Sequence, residues 1–388
     1  MSKIDELIAK LCPDGVEYRE LGSLLSYEQP TKYLVSSTAY SDDYETPVLT
    51  AGKTFILGYT NDEEGIYPSS PEAPVIIFDD FTTDFKWVDF PFKAKSSAMK
   101  MLHANGPQWN LRYVFHAMQT LSFVPQGHKR HWIGVYSHLE IPVPPMEIQK
   151  EIVKVLDSFI TLEAELEAEL EARKAQYRYY RNQLLSFERE RVQWLRLADC
   201  CSQICSGATP NKKNLAYYQD ATIPWLRTQE VRYADITSIS GRISELALKE
   251  TAAKLIPKNC VIIAISGASA GRCAINKIEC ATNQHCLNLK INPEVALYKY
   301  VYHCVCNQTE ELLSRKEGAR GDLNATKIKS MKIPVPSLAT QRKVVDILDR
   351  FDSLTTSLTG GLPAEIEARR QQYSHYRDQL LSLPRKSS

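Results

Sequence analysis

Three aspartates and a lysine stand close together in the segment FDDFTTDFKW, residues 78–87. Asp79, Asp80 and Asp84 precede Lys86, and clustered carboxylates beside a lysine can hold Mg²⁺ for phosphodiester cleavage. The same aspartates could instead cap turns or accept a hydrogen bond from a cytosine amino group. No second metal-binding motif on a helix accompanies them. A metal-dependent nuclease is therefore one alternative for this chain.

Other catalytic signatures are missing from the sequence. The glycine-rich stretch GASAGR at 267–272 is not followed by the Lys-Ser/Thr pair that a phosphate-binding loop needs. No GxGxxG opens a strand–helix unit, and the Asn/Asp-Pro-Pro-Tyr/Phe signature of amino-group DNA methyltransferases does not occur. Beyond the aspartate cluster, the sequence thus offers no catalytic signature and no motif for a bound cofactor.

The ten cysteines are irregularly spaced, and nine of them lie beyond residue 199. The N-terminus has no apolar secretory region, and no stretch approaches the roughly 18 apolar residues of a membrane span. In a cytoplasmic chain we expect such cysteines to be thiols that act as small buried hydrophobes. A zinc site is disfavoured because no CxxC pair completes one. Its candidate ligands are Cys200, Cys201 and Cys205, or Cys304 and Cys306 beside His303.

Polar and cationic side chains that suit DNA recur in short runs along the chain. Arginine pairs with guanine and asparagine or glutamine with adenine, whereas lysine, serine and threonine more often hold phosphates. Each residue alone is an ordinary loop residue, so the interpretation depends on the collective pattern. The first candidates are Lys53, Lys86, Lys95, Ser96, Lys129, Arg130 and His131. The later ones are Thr209, Arg227, Thr228, Gln229, Ser269, Arg272, Asn283, Gln284, Arg320 and Asn324.

Charge is distributed unevenly although the net charge is only +1. Residues 192–332 contain 19 Lys/Arg against 12 Asp/Glu, a balance of +7. Residues 16–140 contain 10 against 15, a balance of −5. The later region could attract phosphates by its mean charge, whereas the earlier region would need local basic loops.

A repeated segment organises the chain. Residues 141–159, IPVPPMEIQKEIVKVLDSF, match residues 333–351, IPVPSLATQRKVVDILDRF, at an offset of 192. Further on, EARKAQYRYYRNQLLSF at 171–187 matches EARRQQYSHYRDQLLSL at 367–383 at an offset of 196. The second copy has therefore gained four residues, near Gly360 and Gly361.

Each copy reads as a long helix that follows a stiff proline segment, and the first would run over 147–186. Apolar residues recur with the spacing of a heptad seam, which needs a partner. We expect the other copy, packed antiparallel, to be that partner; another chain is the alternative. Gly360 and Gly361 should interrupt the second helix, and Pro363 suits the first turn of a restart. The seam residues are Ile152, Leu156, Phe159, Leu166, Val344, Leu348, Phe351 and Leu358.

The regions outside the repeats form two lobes that open alike, with VEYRELGSLL and VQWLRLADCC. Short runs such as PVIIF and CVIIAI, bounded by turn residues, indicate mixed α/β lobes with β-sheet cores. The predicted fold class is α+β: two such lobes separated by two long helices, packed as an antiparallel coiled coil with pseudo-twofold symmetry. The predicted order is lobe, helical spacer, lobe and helical spacer, over residues 1–140, 141–191, 192–332 and 333–388.

These motifs resemble the specificity subunit of type I restriction-modification systems over nearly the whole chain. The resemblance rests on the IPVP–x–Q segments, the LD-x-F that follows each, and the Tyr-rich EAR…YR-x-QLLS ends. In the second lobe, SGATP, PWLRTQEV, KLIPKNCVIIAISGASAGR and TNQ resemble one type of target-recognition domain. In the first lobe, TAGKTFILGYT, PVIIFDDFTTDFKWVDFPFK and KSSAMKML resemble another type. The glycine interruption departs from an unbroken second helix.

The resemblance implies a non-catalytic subunit that binds double-stranded DNA. Each lobe would read half of a bipartite, asymmetric site, and the helical spacer would set the gap between the halves. Two methyltransferase subunits, which flip and methylate adenine with S-adenosylmethionine, and two restriction subunits would be its partners. The uneven charge of the lobes keeps one further alternative open, a coiled-coil scaffold whose lobes bind proteins.

Overall fold

The computed structural model describes residues 3–52, 54–125, 127, 129–188, 190–314, 323–356 and 360–386. The chain divides into two compact units. Unit 1 comprises Met1–Glu165 and Glu367–Ser388, and unit 2 comprises Leu166–Ile366. Each unit therefore contains one lobe and parts of both repeated helices.

The lobe of unit 1 alternates short strands with short helices, and the long helix α4 follows it. Its elements are α1 (Lys3–Leu11), β1 (Glu17–Glu20), α2 (Leu21–Leu24), β2 (Leu25–Glu28), β3 (Thr46–Leu49), β4 (Ile56–Thr60), β5 (Val75–Asp79), β6 (Phe85–Val88), β7 (Lys93–Ala94), β8 (Met99–Ala104), α3 (Leu111–Met118), β9 (Glu140–Val143) and α4 (Met146–Leu185).

The lobe of unit 2 is built in the same style, and two helices follow it. Its elements are β10 (Gln193–Arg196), β11 (Cys201–Ser206), β12 (Ile223–Leu226), β13 (Asp235–Ile236), β14 (Arg242–Ile243), α5 (Glu245–Glu250), β15 (Leu255–Ile256), β16 (Val261–Ala264), β17 (Cys273–Asn276), β18 (Cys280–Thr282), β19 (Cys286–Ile291), α6 (Tyr298–Asn307), α7 (Thr309–Ser314), α8 (Ala325–Lys329) and β20 (Lys332–Val335). The two helices are α9 (Leu338–Thr356) and α10 (Leu362–Leu381).

Two sheets form the core of the unit 1 lobe. Strands β2, β8, β5 and β6 form an antiparallel sheet in that order, and β4, β3 and β7 form a second sheet in which β3 and β7 are parallel. Successive side chains of a strand point to opposite faces. Accordingly, Ile76 and Phe78 pack into one apolar cluster, whereas Val75 and Ile77 pack into another. The continuous apolar run of β5 is thus explained by burial on both faces.

The unit 2 lobe repeats this strand order. Strands β11, β19, β16, β17 and β13 form one sheet, and β14, β12, β18 and β15 form the other. The antiparallel series β11-β19-β16-β17 corresponds to β2-β8-β5-β6, and the parallel pair β12 and β18 corresponds to β3 and β7. The prediction of α+β lobes with β-sheet cores is confirmed.

The two IPVP segments form strands that close each lobe. β9 pairs with β1, and β20 pairs with β10, each antiparallel over four residues. Proline provides no N–H but keeps its carbonyl oxygen as an acceptor. In unit 1 the hydroxyl of Tyr113 donates to the carbonyl oxygen of Pro142 over 2.9 Å. In unit 2 the hydroxyl of Tyr300 donates to the carbonyl oxygen of Pro334 over 3.0 Å.

The repeated helices pair with each other inside unit 1. The rings of Phe159 in α4 and Tyr376 in α10 stack with centroids 5.4 Å apart. Nearby, Nε of Arg370 donates to a carboxylate oxygen of Glu163 over 2.6 Å. Residue numbers rise along α4 as they fall along α10, so these segments run antiparallel.

Unit 2 contains the corresponding contact between the later part of α4 and α9. The ring of Phe351 stacks with Tyr177 and Tyr180, at centroid distances of 6.1 and 5.5 Å. The predicted pairing of one repeat with the other is therefore confirmed in both units. The predicted interruption is also confirmed, because α9 ends at Thr356 and α10 starts at Leu362. None of the helices within the described ranges is both long and apolar enough to cross a bilayer.

The first turns of each long helix belong to the core of the lobe that precedes them. Ile152 and Leu156 are fully buried in the cluster that contains Tyr113 of the unit 1 lobe. Val344 and Leu348 are buried in the corresponding cluster of unit 2. Leu166 is half-buried. The remaining predicted seam residue, Leu358, lies outside the described residues.

The cysteines act as apolar core residues. All ten are present as thiols, and eight of them are buried. Burial raises the pKa of Cys200 to about 11 and the pKa of Cys286 to about 12, which keeps both protonated at neutral pH. The interpretation of the cysteines as buried hydrophobes is confirmed. In the part of the chain that the structure describes, no group of three or more His, Cys, Asp or Glu residues could hold a metal ion.

Truncating the buried helix positions should destabilise the fold. Leu348 is fully buried, so Leu348→Ala is expected to lower the free energy of unfolding by about 2–5 kcal/mol. Its neighbour Ile347 is 41% exposed, so Ile347→Ala should cost less than about 1 kcal/mol. Denaturant unfolding followed by circular dichroism measures both. Equal losses in the two variants would contradict the packing of α9 against the lobe.

Candidate nucleic-acid interface

The carboxyl ends of a parallel strand pair bring predicted residues of unit 2 together. β12 and β18 are parallel, with Leu226 opposite Thr282. The following loops, 227–230 and 283–285, therefore leave the sheet at the same edge. The backbone N–H of Asn283 donates to the carbonyl oxygen of Leu226 over 2.9 Å, which fixes one loop to the other. These loops carry five predicted residues, Arg227, Thr228, Gln229, Asn283 and Gln284.

A third loop, residues 206–210, joins this edge. The backbone N–H of Ala208 donates to the carbonyl oxygen of Thr282 over 3.0 Å. A Cβ on Gly207 would stand 1.8 Å from that same oxygen, so only glycine fits here. Oγ1 of Thr209 then donates to Oε1 of Gln284 over 2.5 Å. We call Thr209, Arg227, Thr228, Gln229 and Gln284 the unit 2 cluster.

The turn between β16 and β17 lies beside the unit 2 cluster. The backbone N–H of Ile265 donates to the carbonyl oxygen of His285 over 2.9 Å, in the loop that follows β18. Ser269 and Arg272 lie in this turn and are half-buried. The chain thus brings four separate loops to one end of its two sheets, although they are far apart in sequence.

Two other predicted residues of unit 2 stabilise backbone structure. Asn283 is 8% exposed, and its Oδ1 accepts a hydrogen bond from the N–H of His285 over 3.2 Å. Its burial fits a role in shaping the loop rather than in meeting DNA. Oδ1 of Asn324 accepts from the N–H of Thr326 over 2.8 Å and caps α8, yet Asn324 itself is exposed. Arg320 lies outside the described residues.

Unit 1 builds the same kind of edge from equivalent backbone hydrogen bonds. The N–H of Lys95 donates to the carbonyl oxygen of Leu49 over 3.0 Å, just as Asn283 donates to Leu226 in unit 2. Two further bonds correspond in the same way. The backbone N–H of Asp80 donates to the carbonyl oxygen of Ala98 (3.0 Å), as that of Ile265 donates to His285 (2.9 Å) in unit 2. The backbone N–H of His131 donates to the carbonyl oxygen of Asp80 (2.9 Å), as that of Leu323 donates to Ile265 (2.7 Å).

The side chains at the unit 1 edge differ from those of unit 2. Ser96, Lys129 and Arg130 are exposed, and Nζ of Lys95 lies 5.7 Å from the ring centre of Tyr40. We call Lys95, Ser96, Lys129 and Arg130 the unit 1 cluster. Lys86 is half-buried in β6, opposite Ile77 of β5. Lys53 lies outside the described residues.

Two of the three aspartates that suggested a metal site, Asp79 and Asp80, shape these loops through their side chains. Oδ1 of Asp79 accepts from the N–H groups of Phe81 and Thr82, each over 2.9 Å, and caps a turn. Asp80 is buried, and its Oδ2 lies 3.1 Å from Nζ of Lys100, which is buried as well. Asp84 follows that turn, directly before β6. These partners favour the turn-capping interpretation over the nuclease.

His131 does not face solvent as a DNA contact would. It is 5% exposed, because Oδ1 of Asp80 accepts from its backbone N–H over 3.1 Å and from that of Trp132 over 2.8 Å. These hydrogen bonds to the buried carboxylate hold the backbone of residues 131 and 132 against the core of the lobe. The neighbouring residues Lys129 and Arg130 stay exposed. The expectation that His131 contacts DNA does not fit this geometry.

A family model for the type I restriction modification DNA specificity domain matches residues 13–172 and 190–368. The chain belongs to this specificity family. A relative from Escherichia coli, the type I restriction enzyme EcoR124I/EcoR124II specificity subunit, is 43% identical over 99% of this chain and 98% of its own length. A putative type I specificity subunit from Haemophilus influenzae is 29% identical over 71% of this chain and 72% of its own.

Solved structures of specificity subunits share the fold. The type I S subunit from M. genitalium matches 94% of this chain and 95% of its own, with a TM-score of 0.56 at 15% identity. A chain from a structure of type I restriction-modification complex assembly matches 95% of this chain and 98% of its own, with a TM-score of 0.54 at 16% identity. The predicted DNA-specificity subunit is confirmed, and nothing in these relatives supports a nuclease.

One structural feature of this specificity subunit was not predicted from its sequence. In unit 1, Nε2 of the buried His116 lies 2.9 Å from a carboxylate oxygen of Asp157 in α4. Nδ1 of the same ring lies 2.9 Å from the hydroxyl of Tyr373 in α10. Nε of Arg112 also donates to Asp157, over 2.8 Å. The histidine of α3 therefore connects the lobe to both long helices.

Unit 2 contains the same network. Nε2 of His303 lies 3.1 Å from Oδ1 of Asp349 in α9, and its Nδ1 lies 3.3 Å from the hydroxyl of Tyr177 in α4. Lys299 forms a short ion pair with Asp349 in the place that Arg112 occupies in unit 1. The repeat was the available signal, since it already aligned the two aspartates and the two tyrosines. The histidines lie outside the repeat and could not be found from it.

The repeated glutamine is explained in a similar way. Nε2 of Gln149 donates to the carbonyl oxygen of Pro144 over 2.8 Å, and its Oε1 accepts from the N–H of Asn110 over 3.3 Å. Gln341 makes the corresponding bonds with Pro336 (2.9 Å) and Leu297 (2.9 Å). Each buried amide thus joins the start of a lobe helix to the start of a long helix.

The charges in the unit 1 network are set by burial and by hydrogen bonds. Burial outweighs the hydrogen bond to Asp157 and lowers the pKa of His116 below its ordinary value of 6.5. Burial acts to raise the pKa of Asp157, but hydrogen bonds from His116 and Arg112 outweigh it and lower that pKa. At neutral pH the network therefore combines a neutral imidazole with an ionised carboxylate.

Acidification should destabilise unit 1 through His116. An unfolded histidine binds a proton near pH 6.5, whereas buried His116 does so only at lower pH. The unfolded chain thus binds more protons, and the free energy of unfolding falls as the pH drops through 6.5. His116→Gln should flatten this dependence between pH 7.5 and 5.5, measured by denaturant unfolding.

The control for this prediction is His138→Gln. His138 has a side chain that is 61% exposed, so this variant should keep the full pH dependence. Parallel pH profiles for the two variants would show that His116 does not titrate as described.

Proposed function

We propose that each unit of this specificity subunit reads one half of a bipartite, asymmetric DNA site through its own cluster. The observation that carries the proposal is the duplicated edge. Equivalent backbone hydrogen bonds hold loops of different composition in the two units, with Lys95 in one at the place of Asn283 in the other. A constant frame with different side chains suits the reading of two different sequences.

The domain assignment follows the same division. Residues 1–140 and 192–332 would be the two target-recognition domains, and residues 141–191 and 333–388 the two helical spacer repeats. Support comes from the strand order that both lobes share and from the family model, which matches the chain twice.

The chemistry of the two clusters suggests different kinds of contact. In unit 2 the amides of Gln229 and Gln284 can pair with adenine in the major groove, and hydroxyls such as that of Thr228 can bind phosphates. In unit 1 Arg130 can pair with guanine, whereas Lys95 and Lys129 suit phosphates. The proposed contacts also include Lys53, Lys86, Ser96, Thr209, Arg227, Ser269, Arg272, Arg320 and Asn324.

The partners follow from the family. The subunit would assemble with two methyltransferase subunits and two restriction subunits in the cytoplasm, where its DNA substrate lies. Base flipping and methyl transfer from S-adenosylmethionine would take place in the methyltransferase partners. Near the unit 1 cluster, the carboxylates of Asp79 and Asp80 are bound to backbone N–H groups and to Lys100, which supports a structural role for them. The chain's own contribution would be to select the site.

Single substitutions in the two clusters should alter different halves of the recognised site. Methylation-sensitive sequencing of DNA from cells that contain the subunit and its partners would reveal the site. Gln284→Ala should relax or change bases only in the half read by unit 2, and Arg130→Ala only in the half read by unit 1. Removing one bidentate pair of hydrogen bonds to a base reduces discrimination against the wrong base by about 1–3 kcal/mol.

One result would contradict the proposal. If either variant changed both halves, the two clusters would not read independently. Lys258→Gln serves as a control, because Lys258 is exposed at the end of β16 opposite to the turn that carries Ser269. This variant should leave the methylated sequence unchanged.

A further inference from the structure

A cationic cleft lies next to the unit 2 cluster. It has a volume of about 420 Å³. Its cationic lining residues are Lys212, Arg227 and Arg242, and its apolar ones are Leu215, Tyr218 and Trp225. None of the described residues that line it carries a carboxylate. The cleft therefore combines positive charge with an apolar surface. This combination suits a DNA backbone, which carries anionic phosphates and apolar deoxyribose faces.

The guanidinium of Arg227 has unused hydrogen-bonding capacity. Its Nε is buried and has no hydrogen-bond partner. The nearby carboxylate of Glu230 is engaged elsewhere, because it accepts from the backbone N–H of Arg227 over 3.1 Å and from the N–H of Ser240 over 3.1 Å. A buried donor without a partner is costly, so a site of this kind favours an acceptor from a ligand.

The cleft is joined to the unit 2 cluster by its own lining residues. Nε1 of Trp225 donates to the carbonyl oxygen of Ala208 over 3.1 Å, and the hydroxyl of Tyr218 donates to that of Pro210 over 2.6 Å. These acceptors flank Thr209, a member of the cluster. Arg227 belongs to both sites, since it lines the cleft and begins the loop that carries Gln229.

Gly241, on one wall of the cleft, lies close to Trp225 on its apolar floor. A Cβ on Gly241 would stand 2.7 Å from the carbonyl oxygen of Trp225, so this approach requires glycine. The next residue, Arg242, is exposed, and its NH1 donates to the carbonyl oxygen of Thr222 over 2.8 Å. This bond orders the arginine side chain beside the cleft.

We propose that this cleft binds the DNA backbone beside the bases that the unit 2 cluster reads. The inference rests on the proposed function and refines it by separating two kinds of contact. Lys212, Arg227 and Arg242 would bind phosphates, and the apolar floor would contact the deoxyribose. Base reading would fall to the neutral amides of Gln229 and Gln284, and Arg227, so far a DNA contact of unspecified kind, is assigned to phosphate.

The salt dependence of DNA binding tests this assignment. The logarithm of the binding constant falls linearly with the logarithm of salt concentration, and the slope reports the number of phosphates bound. Lys212→Gln and Arg242→Gln, in the subunit assembled with its methyltransferase partners, should each reduce that slope by about 1. Both variants should weaken binding to a duplex that contains the recognised sequence and to an unrelated duplex by the same factor. Fluorescence anisotropy with labelled duplexes measures the slopes at salt concentrations between about 50 and 300 mM.

Matched variants separate the outcomes. Lys258→Gln removes the same charge at a distant exposed position and should leave the slope unchanged. If the cleft variants matched Lys258→Gln while Gln284→Ala still changed the sequence read, the cleft assignment would fail and the proposed function would stand. A change in the sequence read by the cleft variants would also overturn it, because phosphate ligands carry no base preference. If Gln284→Ala changed nothing, the proposed reading by the unit 2 cluster would itself fail.

Discussion

A buried histidine clamped between a carboxylate and a tyrosine constrains each unit of this protein. The ring of His116 or His303 lies in a lobe helix, while its partners lie in long helices. A buried imidazole can satisfy both ring nitrogens only when both partners are present. The lobe cannot turn on its helices without leaving a buried polar atom unpaired, which is costly. The position of each candidate DNA-binding edge within its unit depends on this constraint.

The candidate DNA-binding edges themselves show how a fixed backbone carries changeable side chains. In both units the loops are attached by main-chain bonds, such as Lys95 to Leu49 and Asn283 to Leu226. Main-chain bonds do not depend on which side chain follows. Loop residues can therefore be exchanged while the edge keeps its shape, so that under the proposed function the specificity of each unit could change without a new fold.

Much of the frame could be predicted from the sequence because it depends on local periodicity. The expected helix over 147–186 differs by one residue at each end from the helix found, Met146–Leu185. The runs PVIIF and CVIIAI fall on β5 and β16. They could be recognised as strands because continuous apolar segments are typical of strands buried on both faces. The glycine interruption was equally visible, since glycine breaks a helix through its backbone alone.

The site was harder to predict because burial there depends on contacts between distant residues. His131 and Asn283 have the right chemistry for DNA, yet both are buried. The cause for His131 is the pair of Asp80 and Lys100, which nothing in the local pattern reveals. Arg227 was predicted as a DNA contact and stays a prediction, whereas its unpartnered nitrogen and its cleft appear only when the loops are brought together.

The origin of the two tyrosines has an evolutionary consequence. In unit 1 the histidine meets Tyr373 from the second repeat, and in unit 2 it meets Tyr177 from the first. An ancestral gene with one lobe and one helix would have encoded the aspartate, the histidine and the tyrosine. The tyrosine of one such polypeptide would, however, have met the histidine of a second copy rather than its own. Two such polypeptides would have had to exchange helix ends to complete each clamp. Tandem fusion of that gene would then have turned an association between identical molecules into a single chain, in which each half still completes the clamp of the other.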